Sequence, residues 1–245
     1  NVALGHNSLT AEDTGSRSIA IGYFALATQN YNGDAYNVAI GHAAGQLITT
    51  GVKNNLIGGL AGDAITTGSG NEVLGYNALS ANTEGSFNIA IGQSTLSTNV
   101  LGSKSVGVGF AALGSQNPAS AVDMYNIAIG HSAGQSVTTG VNNVFIGGLA
   151  GDAMTGGDSN VAIGKNAMSS ANGTESNNVA IGYGTLASMD WNASNYNVAV
   201  GYNAGTSVSS GLYNTLIGGK AGDSITSGSE NVAIGYAALS SEDGN

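Results

Sequence analysis

Apolar and polar positions follow one another along this chain in a short phrase that recurs fourteen times, four of them with a substitution at the second or third position: Asn or Ser, aliphatic, small, aliphatic, Gly. In Asn37-Val38-Ala39-Ile40-Gly41 the aliphatics stand two apart, which places both on one face of a short strand and Ala39 on the other. The pair recurs as Val2/Leu4, Ile19/Ile21, Ile89/Ile91, Ile127/Ile129, Val161/Ile163, Val179/Ile181, Val198/Val200 and Val232/Ile234. β-branched residues closed by Gly predict a strand that ends in a turn, and the Gly frequency with no helical period excludes helix. Nine of the thirteen spacings between the closing glycines are 17 residues, and the others are 18, 19, 19 and 21. Fixed spacing of this kind marks stacked repeats. The expected fold is all-β, a parallel β-roll or β-solenoid of about fourteen coils, with 1–245 forming a single repeat domain.

The rest of each coil is patterned too. Three residues after the Gly stands a small residue, as at Ala25, Ala44 and Thr95, and the next position is Leu or Met in eight coils and Gly in six. The Gly coils place an aliphatic or Met three residues further on, at Ile48, Ile65, Val137, Met154, Val208 and Ile225. This predicts one core socket per coil, filled from either position, because a thin core does not tolerate overpacking. Asn opens twelve of the fourteen phrases, with Ser18 and Ser105 in the others. Stacked asparagines form an amide ladder or simply suit a turn, and the pattern leaves both readings open. Each coil is expected to bury about three large apolar side chains, too thin a core to stand without neighbouring chains. Three Ile-Gly-Gly coils carry Leu56, Phe145 or Leu216 where most coils have Ala, and a second Gly (Gly59, Gly148, Gly219) directly after the phrase. Enlargement paired with removal assigns Leu56, Phe145 and Leu216 to a subunit interface.

Composition narrows the function. Gly accounts for 40 of 245 residues, charged residues for 8%, and the net charge is -10 with no basic patch. Nucleic acid and anionic membrane surfaces are therefore not expected partners. The chain has no cysteine and no apolar run long enough to span a bilayer, so no membrane insertion by this segment is expected. The array starts within a coil and stops without a visible cap, which reads as part of a longer fibrous chain.

Ser/Asn-Val-Ala-Ile-Gly followed by a small residue resembles the head repeat of trimeric autotransporter adhesins, the YadA-like head. Ala-Gly-x-x-x-Thr-Thr-Gly, at 44–51 and 133–140, resembles repeats of phage tail-fibre proteins. The resemblance covers essentially all 245 residues. It implies a left-handed roll, a side-by-side homotrimer and a role in attachment, extracellular, on an outer-membrane-anchored cell-surface protein or a virion tail. The coil of the adhesin head is shorter than this one, and the family's neck, coiled-coil stalk, membrane anchor and tail-fibre chaperone domain have no counterpart in these residues.

Candidate recognition residues cluster where the array lengthens, at 28–36, 115–125 and 188–196. These stretches hold the only Pro (Pro118), the only Trp (Trp191), and Tyr31, Tyr36, Tyr125 and Tyr196 beside Asp34, Asp123 and Asp190. Aromatic faces next to carboxylates suit sugar rings, so these eight aromatic and acidic residues without Pro118 are the candidate contacts for a host-surface glycan or protein receptor, unless the stretches are merely tolerated insertions. Nine of the ten tyrosines fall in two columns, after the closing Gly or before the opening Asn, which reads as stacking. His6, His42 and His131 share the first column; a lone His per coil reads as structural or exposed, and neither a metal nor a cofactor is expected. No catalytic spacing stands out. A glycan-degrading tail spike needs two carboxylates held ~5 to 9.5 Å apart, whereas these acids are scattered, and an ice-binding solenoid needs Thr rows that here lapse in the Leu coils. The expected function is a non-enzymatic trimeric attachment fibre presenting loops to a host surface, with a purely structural extracellular filament as the alternative.

Overall fold

The computed structural model describes residues 1–240. Among them are strands and turns but no helix, and the chain forms a parallel β-solenoid of about fourteen turns. The turns belong to two compact units, Asn1–Tyr125 and the stretch from Asn126 onward. The first contains β1 (Val2–Leu4), β2 (Ile19–Ile21), β3 (Val38–Ile40), β4 (Asn55–Ile57), β5 (Glu72–Leu74), β6 (Ile89–Ile91), β7 (Gly102–Ser103), β8 (Val106–Val108) and β9 (Val122–Asp123). Strands β1 to β6 and β8 stack in chain order, and β7 pairs with β9. The second contains β10 (Ile127–Ile129), β11 (Val144–Ile146), β12 (Val161–Ile163), β13 (Val179–Ile181), β14 (Val198–Val200), β15 (Thr215–Ile217) and β16 (Val232–Ile234), again in chain order. Pairing joins like positions of successive turns, as in Val38↔Asn55, Ala39↔Leu56 and Ile40↔Ile57.

The opening asparagines form the ladder that the sequence left open. The Asn54 backbone N–H donates to Asn37 Oδ1 at 2.9 Å, and its Nδ2 donates to the same oxygen at 3.2 Å and across the turn to the Gly68 carbonyl at 3.0 Å. The backbone N–H to Oδ1 step continues at Asn71 and Asn88, and at Asn143, Asn160, Asn178, Asn197, Asn214 and Asn231 in the second unit. The ladder side chains from Asn37 to Asn214 are buried, and a buried amide demands partners for both its donor and its acceptor. Where Ser18 replaces Asn, its hydroxyl is too short to reach, and Gln29 supplies the amide: Nε2 donates to Ser18 Oγ at 3.1 Å and Oε1 accepts from Asn37 Nδ2 at 2.8 Å. Gln116 does the same for Ser105 at 3.1 Å.

Strand alternation does not deliver the three large buried apolar side chains expected of each coil. The middle residue of each strand points inward, as with Ala20, Ala39, Ala90, Ala128 and Ala180, while the flanking aliphatics lie on the outer surface. Leu56 is 0% exposed and its neighbour Ile57 is 40% exposed. A turn this small encloses one layer of side chains, already occupied by Asn, the small residue after the Gly and one socket group, so a pair of β-branched residues has no room inside.

The same parity corrects the interface assignment of Leu56, Phe145 and Leu216, which are fully buried within their own chain. Their size is matched not by the second Gly but by the Gly of the socket. A Cβ at Gly45 would lie 2.7 Å from Leu56 Cδ1, one at Gly151 2.4 Å from Phe145 Cε1, and one at Gly205 2.7 Å from Leu216 Cδ1. The socket prediction itself holds: a Cβ at Gly62 would also lie 2.7 Å from Ile65 Cδ1, and Leu26, Leu79 and Leu96 fill the equivalent space directly. The closing Gly is required by stacking as well as by its dihedral. Gly22 has φ +136°, and a Cβ there would stand 2.3 Å from the Gly41 carbonyl oxygen of the next turn.

The Ser/Gln exchange is directly testable in the turn of Asn178, where Met189 occupies the position of Gln29. Asn178→Ser alone is expected to cost roughly 1–3 kcal/mol of unfolding free energy by stranding buried groups. Adding Met189→Gln should recover most of that loss, read as a favourable coupling in a double-mutant cycle of urea midpoints.

Candidate functional site

Each lengthened turn sends some residues inward, Gln29, Gln116 and Asn195 to the ladder and Ala35, Met124 and Met189 to the core, and leaves most of the others exposed or half-buried. In the first, Tyr31 is half-buried, Asp34 is exposed and Tyr36 is 43% exposed. Arg17, one turn earlier, gathers the last two. Its Nη1 lies 3.0 Å from Asp34 Oδ2 and donates to the Tyr36 hydroxyl, with the guanidinium carbon 5.3 Å from the Tyr36 ring centre. Ser16 Oγ donates to Asp34 as well. The Tyr36 hydrogen bond, then the Asp34 charge, raise the Arg17 pKa further above its ordinary value.

The second insertion repeats the device with Lys104. Its Nζ donates to Asp123 Oδ2 at 2.7 Å and to the Tyr125 hydroxyl at 3.1 Å, and it sits 5.3 Å from the Tyr125 ring centre. The Lys104 hydrogen bond holds the Asp123 carboxyl below its usual value, and the Lys104 ammonium is raised by the same contact. An open hollow of about 520 Å³ lies alongside, lined by Ser103, Ala121, Val122 and Asp123. Met124 is fully buried.

At the third insertion the clamp is absent. Asn177 and Ser194 occupy the positions of Arg17 and Asp34, joined by a neutral Nδ2 to Oγ bond of 3.3 Å. Asp190 is exposed, Trp191 is 51% exposed, and Tyr196 stacks on Tyr213 with centroids 5.6 Å apart. The carboxylates predicted as sugar acceptors therefore divide: Asp34 and Asp123 are engaged by cations, and Asp190 is not among those pairs. Arg17 and Lys104 were not among the residues singled out in the sequence. They lie 19 residues before Tyr36 and 21 before Tyr125, so only the strand register shows that they belong together.

The column residues behave as stacks. Tyr23 lies between His6 and His42 with centroids 5.5 Å from each, and Tyr183 stacks on Tyr202 at 5.5 Å. Among the described residues no group of three His, Cys, Asp or Glu is placed to hold a metal ion, and no helix is long and apolar enough to cross a membrane. Away from the insertions, burial pushes up the carboxyls of Asp63 and Asp152; Oδ1 of each, and of Asp223, is buried without a hydrogen-bond partner.

The depressed Asp123 carboxyl fixes the sign of a pH effect. A lowered folded-state value means the clamp contributes fully above the usual carboxylate range and is lost as pH falls through that lowered value. Protection of the Met124 amide, which donates to the Ser103 carbonyl at 2.9 Å, is expected to hold through mildly acid pH and then drop. In Lys104→Met it should be weaker throughout and lose that pH dependence.

Compared with models of protein families, with curated proteins and with solved structures, the chain matches none.

Proposed function

We propose that this chain is a segment of an extracellular attachment fibre in which three copies associate side by side through the outward face of their strands. One observation carries the reading. Of the positions flanking the middle residue of the fourteen stacked strands, all but Asn55, Glu72 and Thr215 are Val, Ile or Leu, and Ile57, Leu74, Ile129 and Ile217 are 39–49% exposed. Rings border this face just before and after the strands, among them Tyr76, Phe87, Tyr202 and Tyr213. Together they leave on the order of 1,000 Å² of apolar surface per unit in water, beyond the few hundred a monomer ordinarily tolerates and above the ~800 Å² one partner gives to a standard interface.

A second copy is the occupant that fits, because a flat ladder of like rungs is complementary in spacing to another of its kind. The closed three-chain arrangement and the left hand of the coil follow the resemblance to adhesin heads, and a closed ring leaves no apolar face open to filament growth. The insertions, freed from the face, serve as the surface offered to a host glycan or receptor, on a virion tail or a bacterial cell. No catalytic role is ascribed to the scattered carboxylates.

Light scattering should give three times the 24.0 kDa chain mass, 72.0 kDa. Ile57→Asp combined with Ile91→Asp should reduce it toward one chain while the strand signal persists. Glu72, the only charge on the outward positions of the fourteen stacked strands, accepts from Asn55 Nδ2 at 2.9 Å. Glu72→Ile is therefore expected to tighten association at least several-fold. A wild-type chain that stays monomeric at high concentration would contradict the assembly, and an assembled fibre that binds neither host cells nor their polysaccharide would reduce it to a structural filament.

A further inference from the structure

We infer that the third insertion, Asp190-Trp191-Asn192, is a saccharide subsite, an inference that rests on the attachment role proposed above and names the loop that performs it. The first and third insertions share one turn: Gly33 N–H donates to the Tyr31 carbonyl at 2.8 Å, and Ala193 N–H to the Trp191 carbonyl at 2.7 Å. What differs is the display of the ring. Tyr31 folds over Gly33, where a Cβ would lie 3.1 Å from Tyr31 Cε1. Ala193 carries that methyl, so Trp191 is held off the turn and stands 51% exposed.

The polar groups around the ring are likewise kept available. Asp190 has no cation like Arg17 or Lys104 beside it. Asn192 Oδ1 accepts from the Thr174 N–H at 3.1 Å, which commits its oxygen to the protein and leaves Nδ2 as a free donor. The backbone beneath is fixed by a residue peculiar to this loop. Asn195, 1% exposed, donates Nδ2 to the Trp191 carbonyl at 3.3 Å and accepts from the ladder residue Asn178 at 3.4 Å. Ala35 and Met124, both buried, stand at this position in the other two insertions.

An aromatic face, an anionic acceptor and an amide donor on three consecutive exposed residues match a neutral pyranose, which has an apolar C–H face and hydroxyls that both donate and accept. A quaternary ammonium would use the ring and the carboxylate but leave the Asn192 donor idle. Fixing the loop through Asn195 lowers the ordering cost of binding.

Trp191 is the only tryptophan, so its fluorescence reports on this loop alone. The full chain is titrated with chitotriose, cellotriose, maltotriose and mannotriose, and with choline as the cationic probe. At least one saccharide should shift the emission saturably. Asp190→Ala and Asn192→Ala should each weaken that response tenfold or more, Asn195→Ala should weaken it with the tryptophan still present, and Tyr31→Ala should leave it unchanged. The inference is overturned if no saccharide moves the emission, if choline alone does, or if Tyr31→Ala abolishes the response. Retention of the chain on an immobilised saccharide with no change in Trp191 emission would overturn this site while leaving the attachment role standing; failure to bind any host surface would remove both.

Discussion

A buried column of asparagine amides ties each turn to the next, and the geometry of the coil follows from satisfying it. In a regular turn the ladder Asn spans the interior to a backbone carbonyl 14 residues on, as Asn54 does to Gly68 and Asn197 to Gly211. That bond sets the width of the interior, and with it the room left for apolar groups. A lengthened turn moves the far wall away, and the chain meets this in two ways. Gln29 and Gln116 reach back to a serine, while Asn195 reaches toward Asn178. Each keeps the buried amides paired, since an unpaired one costs about 1–3 kcal/mol.

An interior of one side-chain layer has a consequence for the outside. Volume inside each turn is conserved: where Leu56 or Leu216 enlarges the strand column, Gly45, Gly62, Gly205 and Gly222 withdraw around it. Nothing of that size can be added, so the β-branched residues that give the strands their propensity are excluded to the surface. The most regular feature of the chain is thereby an apolar face in water. In the proposed fibre, association removes it and recognition falls to the insertions, the stretches that depart furthest from the seventeen-residue spacing.

Period, strand positions, the socket alternation and the three insertions were all legible, because each depends on residue type at fixed spacing. The inward face was not. A two-residue alternation defines two faces without saying which is buried, and apolarity pointed to the Val38/Ile40 side when volume decided for Ala39. Leu56, Phe145 and Leu216 were misplaced for the same reason, being read as surface enlargements when they fill a cavity left by glycines in neighbouring positions. Among the candidate contacts, Tyr36, Asp34, Asp123 and Tyr125 lie beside cations that stand about one turn earlier in the chain, and such pairs emerge only from the register. Ser18 with Gln29, and Ser105 with Gln116, are a compensation visible in the sequence once the ladder is known.

The orientation of the strand residues is tested most directly by cysteine scanning in a chain that has no cysteine of its own. Under mild oxidation Ile40→Cys, on the outward face, is expected to form disulfide-linked pairs of chains, whereas Ala39→Cys remains a protected thiol. Cross-linking at position 39 with none at position 40 would contradict the account.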